Sequence, residues 1–475
     1  MRKILFITPP YHCGVVEVAG RWIPLNFAYL ASSAIKASFV PILYDTMSKN
    51  KSLKNIEDLI SSIDFDYLAL SSITATINEN IKISKIAKKL KKNIKVIMGG
   101  VHASFMFDEI LKENDTIDYI IIGEGEETLY ELLRNSEDDI KGIAFKRDGK
   151  IYKNKPREFI GNLDVYEPYY DFFLWNDYKY FVLNNLRLGA ISTSRGCSHS
   201  CIFCSQQRFW EKSWRGRSPE TVIKDIKKLY NFYGVKVILI TDEYPTKDRD
   251  RWEEILKRII SLKYKDLYFL METRADDIIR DENIMDLYKK ANIIHIYLGL
   301  EAGTQAKLDL IKKETSVQMG KESLEIIRKY GIITETSFVL GFPEETKENI
   351  KKTIEIAKFY NPDFAHFLFL TPWPYSDLWK EVKPFIVNYD YSKYNLVEPI
   401  IKPKNLSLLQ LEKLILKCYK DFYFWKFKNL KNEGDFKLNY LMKSFKLMMR
   451  SSFIKSKILK YPSFKMEMRN ENFKS

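Results

Sequence analysis

Short apolar runs alternate with amphipathic stretches through about the first 135 residues, at the spacing of repeated strand–helix units. The runs are rich in Ile, Val and Leu and have no polar face, which is typical of parallel strands covered on both sides. The pattern predicts an α/β domain with a five-stranded, doubly wound parallel sheet. Its strands are expected at Ile4–Thr8, Val40–Tyr44, Tyr67–Ser71, Lys95–Met98 and Tyr119–Ile122.

Small and polar residues gather where these strands end, and ligands of such sheets lie beyond the carboxyl ends of the strands. Glycine pairs after a strand let backbone approach a ligand closely. A nicotinamide-binding unit is not favoured, because no G-x-G-x-x-G follows the first strand. The candidate ligand contacts at this edge are Thr74, Gly99, Gly100, His102, Gly123, Glu124 and Gly125.

A second series of strand–helix repeats predicts a partial (β/α)6 barrel over residues 185–385. Ser218 and Pro219 are typical of the N-cap and first position of one of its helices. The expected domain plan is 1–140, a linker at 141–184, the barrel at 185–385 and a helical region at 386–475. The barrel strands are expected at Leu188–Ser192, Val235–Thr241, Tyr268–Glu272, His295–Leu300, Glu335–Leu340 and Ala365–Leu370.

Three cysteines follow the first barrel strand in a C-x3-C-x2-C spacing, and an aromatic residue precedes the third cysteine. Three thiolates on one loop can hold three irons of a [4Fe-4S] cluster and leave the fourth iron open to a small molecule. A structural zinc site would want a fourth Cys or His, and His199 is too near in sequence to complete a tetrahedron. A disulfide framework fits poorly with five cysteines in 475 residues. The residues of this motif are Cys197, Cys201, Phe203 and Cys204.

This motif resembles the signature of the radical S-adenosylmethionine (SAM) superfamily. The resemblance implies that SAM chelates the open iron and is cleaved to methionine and a 5′-deoxyadenosyl radical. Four charged residues at the predicted strand ends suit the zwitterionic SAM, since an arginine can fork onto its carboxylate. The alternative is that some of these acids only cap the helices that follow. The four candidates are Glu243, Glu272, Arg274 and Glu301.

The N-terminal features resemble the cobalamin-binding, flavodoxin-like domain that precedes many radical SAM barrels. The Gly-Gly-Val-His run ending at His102 and the Gly-Glu-Gly-Glu-Glu run from Gly123 carry this resemblance. The D-x-H-x-x-G motif, whose His ligates cobalt in other cobalamin proteins, is absent, and His12 is not in that context. The resemblance therefore implies base-off cobalamin without a His ligand. The alternative for His102 is a loop residue that hydrogen-bonds locally.

Longer strings resemble the anaerobic magnesium-protoporphyrin IX monomethyl ester oxidative cyclases within the cobalamin-binding radical SAM family. The resemblance implies oxidation of an unactivated C–H of a tetrapyrrole side chain, with water as oxygen source and a flavodoxin or ferredoxin as electron donor. The main alternative is cobalamin-dependent methyl transfer to another substrate; a further one is a non-catalytic cobalamin or iron–sulfur sensor that binds nucleic acid. The strings include Arg21–Phe27, Ser72–Asn78, Gly99–Met106, Phe203–Trp214, Thr241–Thr246, Met271–Asp276, Phe338–Pro343, Leu370–Tyr375 and Tyr394–Pro399.

The net charge of +14 is concentrated near the C-terminus, where residues 401–475 hold 18 Lys and Arg against 6 Asp and Glu. A basic helix with an apolar face can meet nucleic acid, a membrane surface or an acidic partner. Solvated helix faces are the favoured interpretation, and no nucleic-acid partner is expected, since no nucleic-acid motif accompanies the charge. No apolar run is long enough to cross a bilayer, and the N-terminus is typical of a buried strand rather than a signal peptide, so we expect a cytoplasmic protein.

Overall fold

The computed structural model describes residues 1–11, 18–49, 51–430 and 434–450. His12, Cys13 and the end of the basic C-terminal region lie outside these ranges. The N-terminal part is a sheet in the order β2-β1-β3-β4-β5-β6-β7, and its first five strands are parallel as expected. Its strands are β1 (Lys3–Thr8), β2 (Val40–Asp45), β3 (Tyr67–Ser71), β4 (Lys95–Gly99), β5 (Tyr119–Ile121), β6 (Ile143–Arg147) and β7 (Lys150–Lys153).

Helices cover both faces of this sheet, which is why its strands are apolar without alternation. Successive residues of β1 enter opposite cores: Leu5 and Ile7 lie in one cluster, and Ile4 and Phe6 lie in the other. The order of the parallel strands is the flavodoxin-like one, and its ligand crevice lies at the carboxyl ends of β1 and β3. The helices are α1 (Leu25–Lys36), α2 (Thr46–Lys49), α3 (Leu53–Ser62), α4 (Ile77–Leu90), α5 (Val101–Phe105), α6 (Phe107–Glu113) and α7 (Glu126–Leu132).

The stretch 141–184, predicted as a linker, contributes strands to both sheets. Within it β6 and β7 pair antiparallel beyond β5, so the first sheet has seven strands rather than the five expected. A further short strand, β8 (Lys179–Tyr180), pairs antiparallel with the first barrel strand. Strands β6 and β7 carry several lysines and an arginine and lie at an edge, which gives them a weak hydrophobic signal.

The second sheet is a half-barrel in the order β16-β15-β14-β13-β12-β9-β8, and six of its strands are parallel. Ser218 accepts a hydrogen bond from the Thr221 N–H and Pro219 begins the following helix, as predicted. The strands are β9 (Leu186–Ile191), β12 (Val237–Ile240), β13 (Tyr268–Thr273), β14 (Ile293–Glu301), β15 (Ile333–Leu340) and β16 (Phe364–Phe369). The helices are α8 (Gln206–Phe209), α9 (Pro219–Tyr233), α10 (Arg249–Ser261), α11 (Ala275–Arg280), α12 (Met285–Lys290), α13 (Gln305–Leu310), α14 (Val317–Lys329), α15 (Lys347–Tyr360) and α16 (Trp379–Val382).

Two C-terminal helices, α17 (Leu408–Lys428) and α18 (Asp435–Arg450), pack on the edge and lower end of the half-barrel. Tyr419 and Tyr423 of α17 accept hydrogen bonds from the backbone N–H groups of Phe367 and Ala365 in the edge strand β16. These contacts satisfy donors that an open sheet edge would leave unpaired. From α18, the Tyr440 hydroxyl lies 2.9 Å from His295 Nδ1 near the start of β14. Among the described residues, no helix is both long and apolar enough to cross a membrane.

Candidate functional site

A two-stranded hairpin carries the cysteine motif beyond the end of β9. Strands β10 (Ser194–Gly196) and β11 (Trp214–Gly216) pair antiparallel, with Arg195 opposite Arg215. Gly196 has φ +97° and lies against the Ser213 carbonyl, so a side chain would be strained and would collide there. Below the hairpin, the buried Asp242 accepts from Thr193 N–H at 2.7 Å and from the Thr193 and Ser194 hydroxyls at 2.6 Å. The loop that bears the three cysteines is therefore held firmly at its base.

The three cysteine thiols are chemically suited to a cluster. Burial raises the pKa of each of them, that of Cys204 to about 12, so iron must displace their protons. The Gln206 N–H donates to Cys204 Sγ at 3.4 Å, and the charges of Lys313 and Arg274 favour the Cys201 thiolate. Donors and cations around the sulfurs are what an anionic cluster needs. These residues therefore fit a [4Fe-4S] cluster held by Cys197, Cys201 and Cys204.

Three further residues that could be mistaken for cluster ligands or contacts, His199, Phe203 and Cys418, contact other parts of the protein. His199 Nδ1 lies 2.5 Å from Glu314 Oε2, and Phe203 packs against the apolar cluster that contains Ile202. Cys418 is buried in α17, within the barrel core. Among the described residues, no three His, Cys, Asp or Glu side chains converge as ligands of one single metal ion, which differs from a cluster, where each cysteine binds its own iron.

Two of the predicted SAM contacts are carboxylates in different surroundings. Glu243 accepts from the Trp210 indole N–H at 3.2 Å and from the Gly196 N–H at 3.4 Å, so it supports the cysteine hairpin. The side-chain carboxylate of Glu272, in β13, accepts no hydrogen bond from any described residue. Its side chain is accessible to solvent yet surrounded by protein, and burial together with the Glu243 charge raises its pKa to about 8. Glu272 is a free carboxyl on the barrel rim.

The other two SAM candidates lie beside a lysine that the sequence analysis did not single out. Glu301, at the end of β14, has φ +62°, and its Oε1 lies 3.4 Å from Lys313 Nζ. Backbone in this region is costly for a non-glycine residue and is found at functional sites. The guanidinium of Arg274 contacts Asp276 at 2.9 Å and donates to the Glu314 carbonyl at 3.0 Å. Some of the hydrogen-bond donors of the Arg274 guanidinium are thus already engaged within the chain.

The lower half of the lumen contains a buried polar cluster. The carboxylate of Glu335 contacts the imidazoles of both His366 and His295. His295 Nε2 lies 2.8 Å from Glu335 Oε2. Burial alone would raise the pKa of Glu335, but the two imidazoles hold it well below its usual range. Farther up, the Tyr297 hydroxyl lies 2.6 Å from Ser337 Oγ, which donates to Glu301 Oε2 at 3.3 Å. Polar side chains therefore continue from the lower end of the barrel to its rim.

At the carboxyl edge of the first sheet, Thr74 connects the two domains. Its hydroxyl lies 3.1 Å from the Tyr375 hydroxyl, on the loop after β16, and 3.1 Å from His102 Nδ1. His102 is buried, and burial lowers its pKa to about 4. Tyr375 also stacks on Phe105, with ring centroids 4.8 Å apart. The imidazole of His102 therefore makes a local hydrogen bond, and its contact with a corrin stays a prediction.

The predicted glycine positions differ in the space around them. Gly123, after β5, has φ +79°, and a Cβ there would meet no atom within 4 Å. Gly100 has φ +92°, and a Cβ would lie 2.7 Å from the Ser72 carbonyl oxygen, so this glycine lets two loops pack. Around Gly99 the nearest atoms are at ordinary contact distance, and at Gly125 the nearest lies at 3.0 Å, in Leu30. The open backbone at Gly123 fits the close approach of a large ligand such as cobalamin.

The carboxylate of Glu124 bridges the two domains and does not face an open crevice. Its carboxylate oxygens lie 2.7 Å from Arg195 Nη1 and 2.8 Å from Arg215 Nη1, and it also accepts from the Ile160 N–H at 2.8 Å. Glu126 takes the other arm of Arg195 at 2.5 Å. Arg195 lies two residues before the first motif cysteine and Arg215 lies beyond the last one, but nothing in their sequence context indicates these partners.

Comparisons with known proteins agree with this geometry. Sequence models of the radical SAM superfamily and of the B12 binding domain match residues 191–357 and 11–133. The chain is 35% identical to an anaerobic magnesium-protoporphyrin IX monomethyl ester cyclase of Cereibacter sphaeroides, over 89% of this chain and 70% of the relative. It is 34% identical to the same enzyme of Rubrivivax gelatinosus, over 89% and 77%. It is 31% identical to an uncharacterized methyltransferase of Pyrococcus horikoshii, over 89% and 92%.

Solved structures that share the fold include two cobalamin-dependent or methyl-transferring radical SAM enzymes. The cobalamin-dependent SAM radical enzyme OxsB, with aqua-cobalamin bound, superposes with a TM-score of 0.69 at 16% identity, over 94% of this chain and 72% of that one. The radical SAM methyltransferase TsrM from Kitasatospora setae gives 0.67 at 17% identity, over 80% and 76%. A [4Fe-4S] cluster, SAM and cobalamin are the cofactors that these domains imply. The chain belongs to the family of cobalamin-binding radical SAM enzymes.

Proposed function

We propose that this enzyme oxidises an unactivated C–H bond on the side chain of a tetrapyrrole, as an anaerobic magnesium-protoporphyrin IX monomethyl ester cyclase. The observation that carries the proposal is the similarity to two such cyclases, which at 34–35% identity extends over 89% of the chain. An extent of this kind includes the cobalamin domain and the barrel together. A shared fold alone would not support a substrate.

The chemistry explains why this protein needs its cofactors. An unactivated C–H bond has no acidity, so acid–base catalysis cannot open it. When bound, the cluster and SAM supply a carbon radical that can abstract hydrogen, and cobalamin supplies a second redox centre. The chain must then orient the substrate and keep solvent away from the reacting atoms.

The barrel rim offers the groups that would hold SAM. Glu272 has no partner among the described residues, so its carboxylate is free to receive a cationic group of SAM. Arg274 keeps part of its guanidinium for a carboxylate, and Lys313 beside Glu301 adds positive charge near the cluster loop. Glu272 and Glu301 belong to barrel strands and Arg274 directly follows one, at the end of the barrel where enzymes of this architecture bind ligands.

The carboxyl edge of the first sheet would hold cobalamin, with Gly123 offering open backbone. Ile73 exposes its apolar side chain at the same edge, directly before Thr74. Because His102 faces Thr74, we propose that cobalamin binds base-off without a protein imidazole on cobalt. Nitrogen splitting from an imidazole ligand in the EPR spectrum of bound cob(II)alamin would contradict this arrangement.

An anaerobic turnover assay tests the proposed function. The protein is reconstituted with iron, sulfide and cobalamin, then given SAM, a reductant and magnesium-protoporphyrin IX monomethyl ester. Absorption and mass should show the five-ring pigment together with 5′-deoxyadenosine. Deoxyadenosine without pigment conversion would overturn the substrate, and a methylated product with S-adenosylhomocysteine would overturn the reaction type.

A further inference from the structure

We propose that Glu124 and Glu126 are positioning residues that fix the cysteine hairpin, through Arg195, against the cobalamin-binding sheet and so set the separation of the two metal centres. This inference rests on the proposed function, since it needs both cofactors in one chain. It gives the Gly-Glu-Gly-Glu run a role other than direct cofactor contact.

One arginine that joins the two domains lies close in sequence to the cysteine motif. Arg195 lies in β10, two residues before Cys197. Its Nη1 lies 2.7 Å from Glu124 Oε1, and its Nη2 lies 2.5 Å from Glu126 Oε1. A guanidinium spread over two carboxylates is held in direction as well as distance, because its donors form a rigid fork.

The second strand of the hairpin reaches the same carboxylate. Arg215, opposite Arg195 in the pairing of β10 with β11, donates from Nη1 to Glu124 Oε2 at 2.8 Å. The same nitrogen donates to the Ile160 carbonyl at 2.7 Å, so the loop before the barrel is included. Glu124 therefore holds both strands that bear the cysteine loop.

These charged side chains are largely shielded from bulk water. The exposed fractions of the side chains are 4% for Glu124, 6% for Glu126, 14% for Arg195 and 13% for Arg215. When one partner of a buried ion pair is removed, the other is left uncompensated, so the geometry tolerates little displacement. Buried pairs of this kind suit a role in orientation better than one in overall stability.

The loop after β5 that carries Glu124 also lies at the carboxyl edge of the first sheet, where we propose that cobalamin binds. Gly123, directly before Glu124, has the open backbone described above, and its N–H donates to Ser104 Oγ at 3.0 Å. A shift of the Glu124 carboxylate is thus transmitted over one residue to the backbone that a cobalamin would approach. Because misplacement by about an ångström can slow a reaction on the order of a hundredfold, a fixed connection here matters for coupling.

The test uses conservative variants with a matched control. Glu124→Gln and Glu126→Gln remove charge without changing shape, and Arg195→Lys keeps the charge but cannot span two carboxylates. Glu127→Gln is the control. Glu127 follows Glu126 in helix α7 and pairs at 3.1 Å with Arg157, a residue outside the cysteine hairpin. If Glu124→Gln fails to fold, Glu126→Gln still tests the fork, since it leaves Glu124 with both arginines.

Pulsed EPR then measures the distance between bound cob(II)alamin and the reduced cluster, with iron and cobalamin contents checked first. We expect full cofactor loading in every variant. The distance distribution should be shifted or broadened in Glu124→Gln, Glu126→Gln and Arg195→Lys, and should equal that of the wild type in Glu127→Gln. Distributions equal to wild type in all three would overturn the inference and leave the proposed function standing. A wild-type protein that binds no cobalamin would overturn the proposed function, and the inference with it.

Discussion

His102 Nδ1 lies 3.1 Å from the Thr74 hydroxyl, in the interior of the loops that end the first sheet. The imidazole is 1% exposed, so it can gain a proton only by giving up that environment. A histidine held neutral in this way makes the packing at the carboxyl edge of the first sheet dependent on pH.

Stability should fall in acid because of this histidine. The folded pKa of about 4 lies below the usual value of 6.5, so the unfolded chain binds the extra proton first. The His102 contribution is therefore complete above about pH 6.5 and is lost as pH falls toward 4, by roughly 3 kcal/mol at the lower end. Urea unfolding of the cofactor-free protein at about pH 7.5 and about pH 5 measures this loss.

His102→Gln should make the unfolding midpoint less dependent on pH between those two conditions. Thr74→Val is the control: it removes the hydrogen bond but leaves the imidazole buried, so it should keep the dependence. An equal loss of stability in wild type and His102→Gln would show that other groups account for the acid effect.

SAM binding should release a proton from Glu272. The surrounding protein and the neighbouring Glu243 raise its pKa to about 8, so this carboxyl can still carry a proton near neutral pH. A bound cation favours the carboxylate and lowers that pKa. Calorimetric titration of SAM into the cluster-loaded protein, in two buffers of different ionisation enthalpy, counts the protons released near pH 7. Glu272→Gln should abolish the release, and a release that persists in the variant assigns it to another group.

Lys313 should raise the reduction potential of the cluster. It lies near Cys201 and Cys204, and its positive charge favours their negatively charged forms. We expect Lys313→Met to lower the potential by roughly tens of millivolts, since one nearby charge is removed from a partly buried site. An EPR-monitored redox titration measures the shift. The adjacent, exposed Lys312 provides the control, and Lys312→Met should leave the potential unchanged.

The three motif cysteines should be indispensable for the cluster. Cys197→Ala, Cys201→Ala and Cys204→Ala, made together, should abolish the brown colour and SAM cleavage, because no other described cysteine lies near the loop. Cys418→Ala should retain both, since Cys418 is buried in α17. Iron analysis decides the matter: four irons per chain in the triple variant would refute the assignment.

Hydrophobic pattern and motif spacing were sufficient for most of the architecture. The five parallel strands of the first domain and the six of the barrel appear within one to two residues of their expected ends in most cases, because each is a short apolar run covered on both faces. Strands β6 and β7 were missed, since lysines on an edge hairpin resemble a linker. The three cysteines were identifiable because their spacing is local.

The contacts that organise the site could not be predicted in the same way. Arg195 and Glu124 are 71 residues apart, and a single arginine and glutamate in a chain with 76 basic and 62 acidic residues carry no sign of their pairing. Lys313 is equally inconspicuous among the lysines. Only the fold, which places the loop after β5 beside the cysteine hairpin, reveals these long-range partners.

The most direct test of the central claim follows hydrogen rather than pigment. Magnesium-protoporphyrin IX monomethyl ester deuterated on its propionate side chains is incubated anaerobically with the fully loaded enzyme, SAM and a reductant. Hydrogen abstraction from the substrate predicts deuterium in the 5′-deoxyadenosine, detected by mass, as the five-ring pigment forms. Deoxyadenosine free of deuterium, with the pigment unchanged or methylated, would contradict the account.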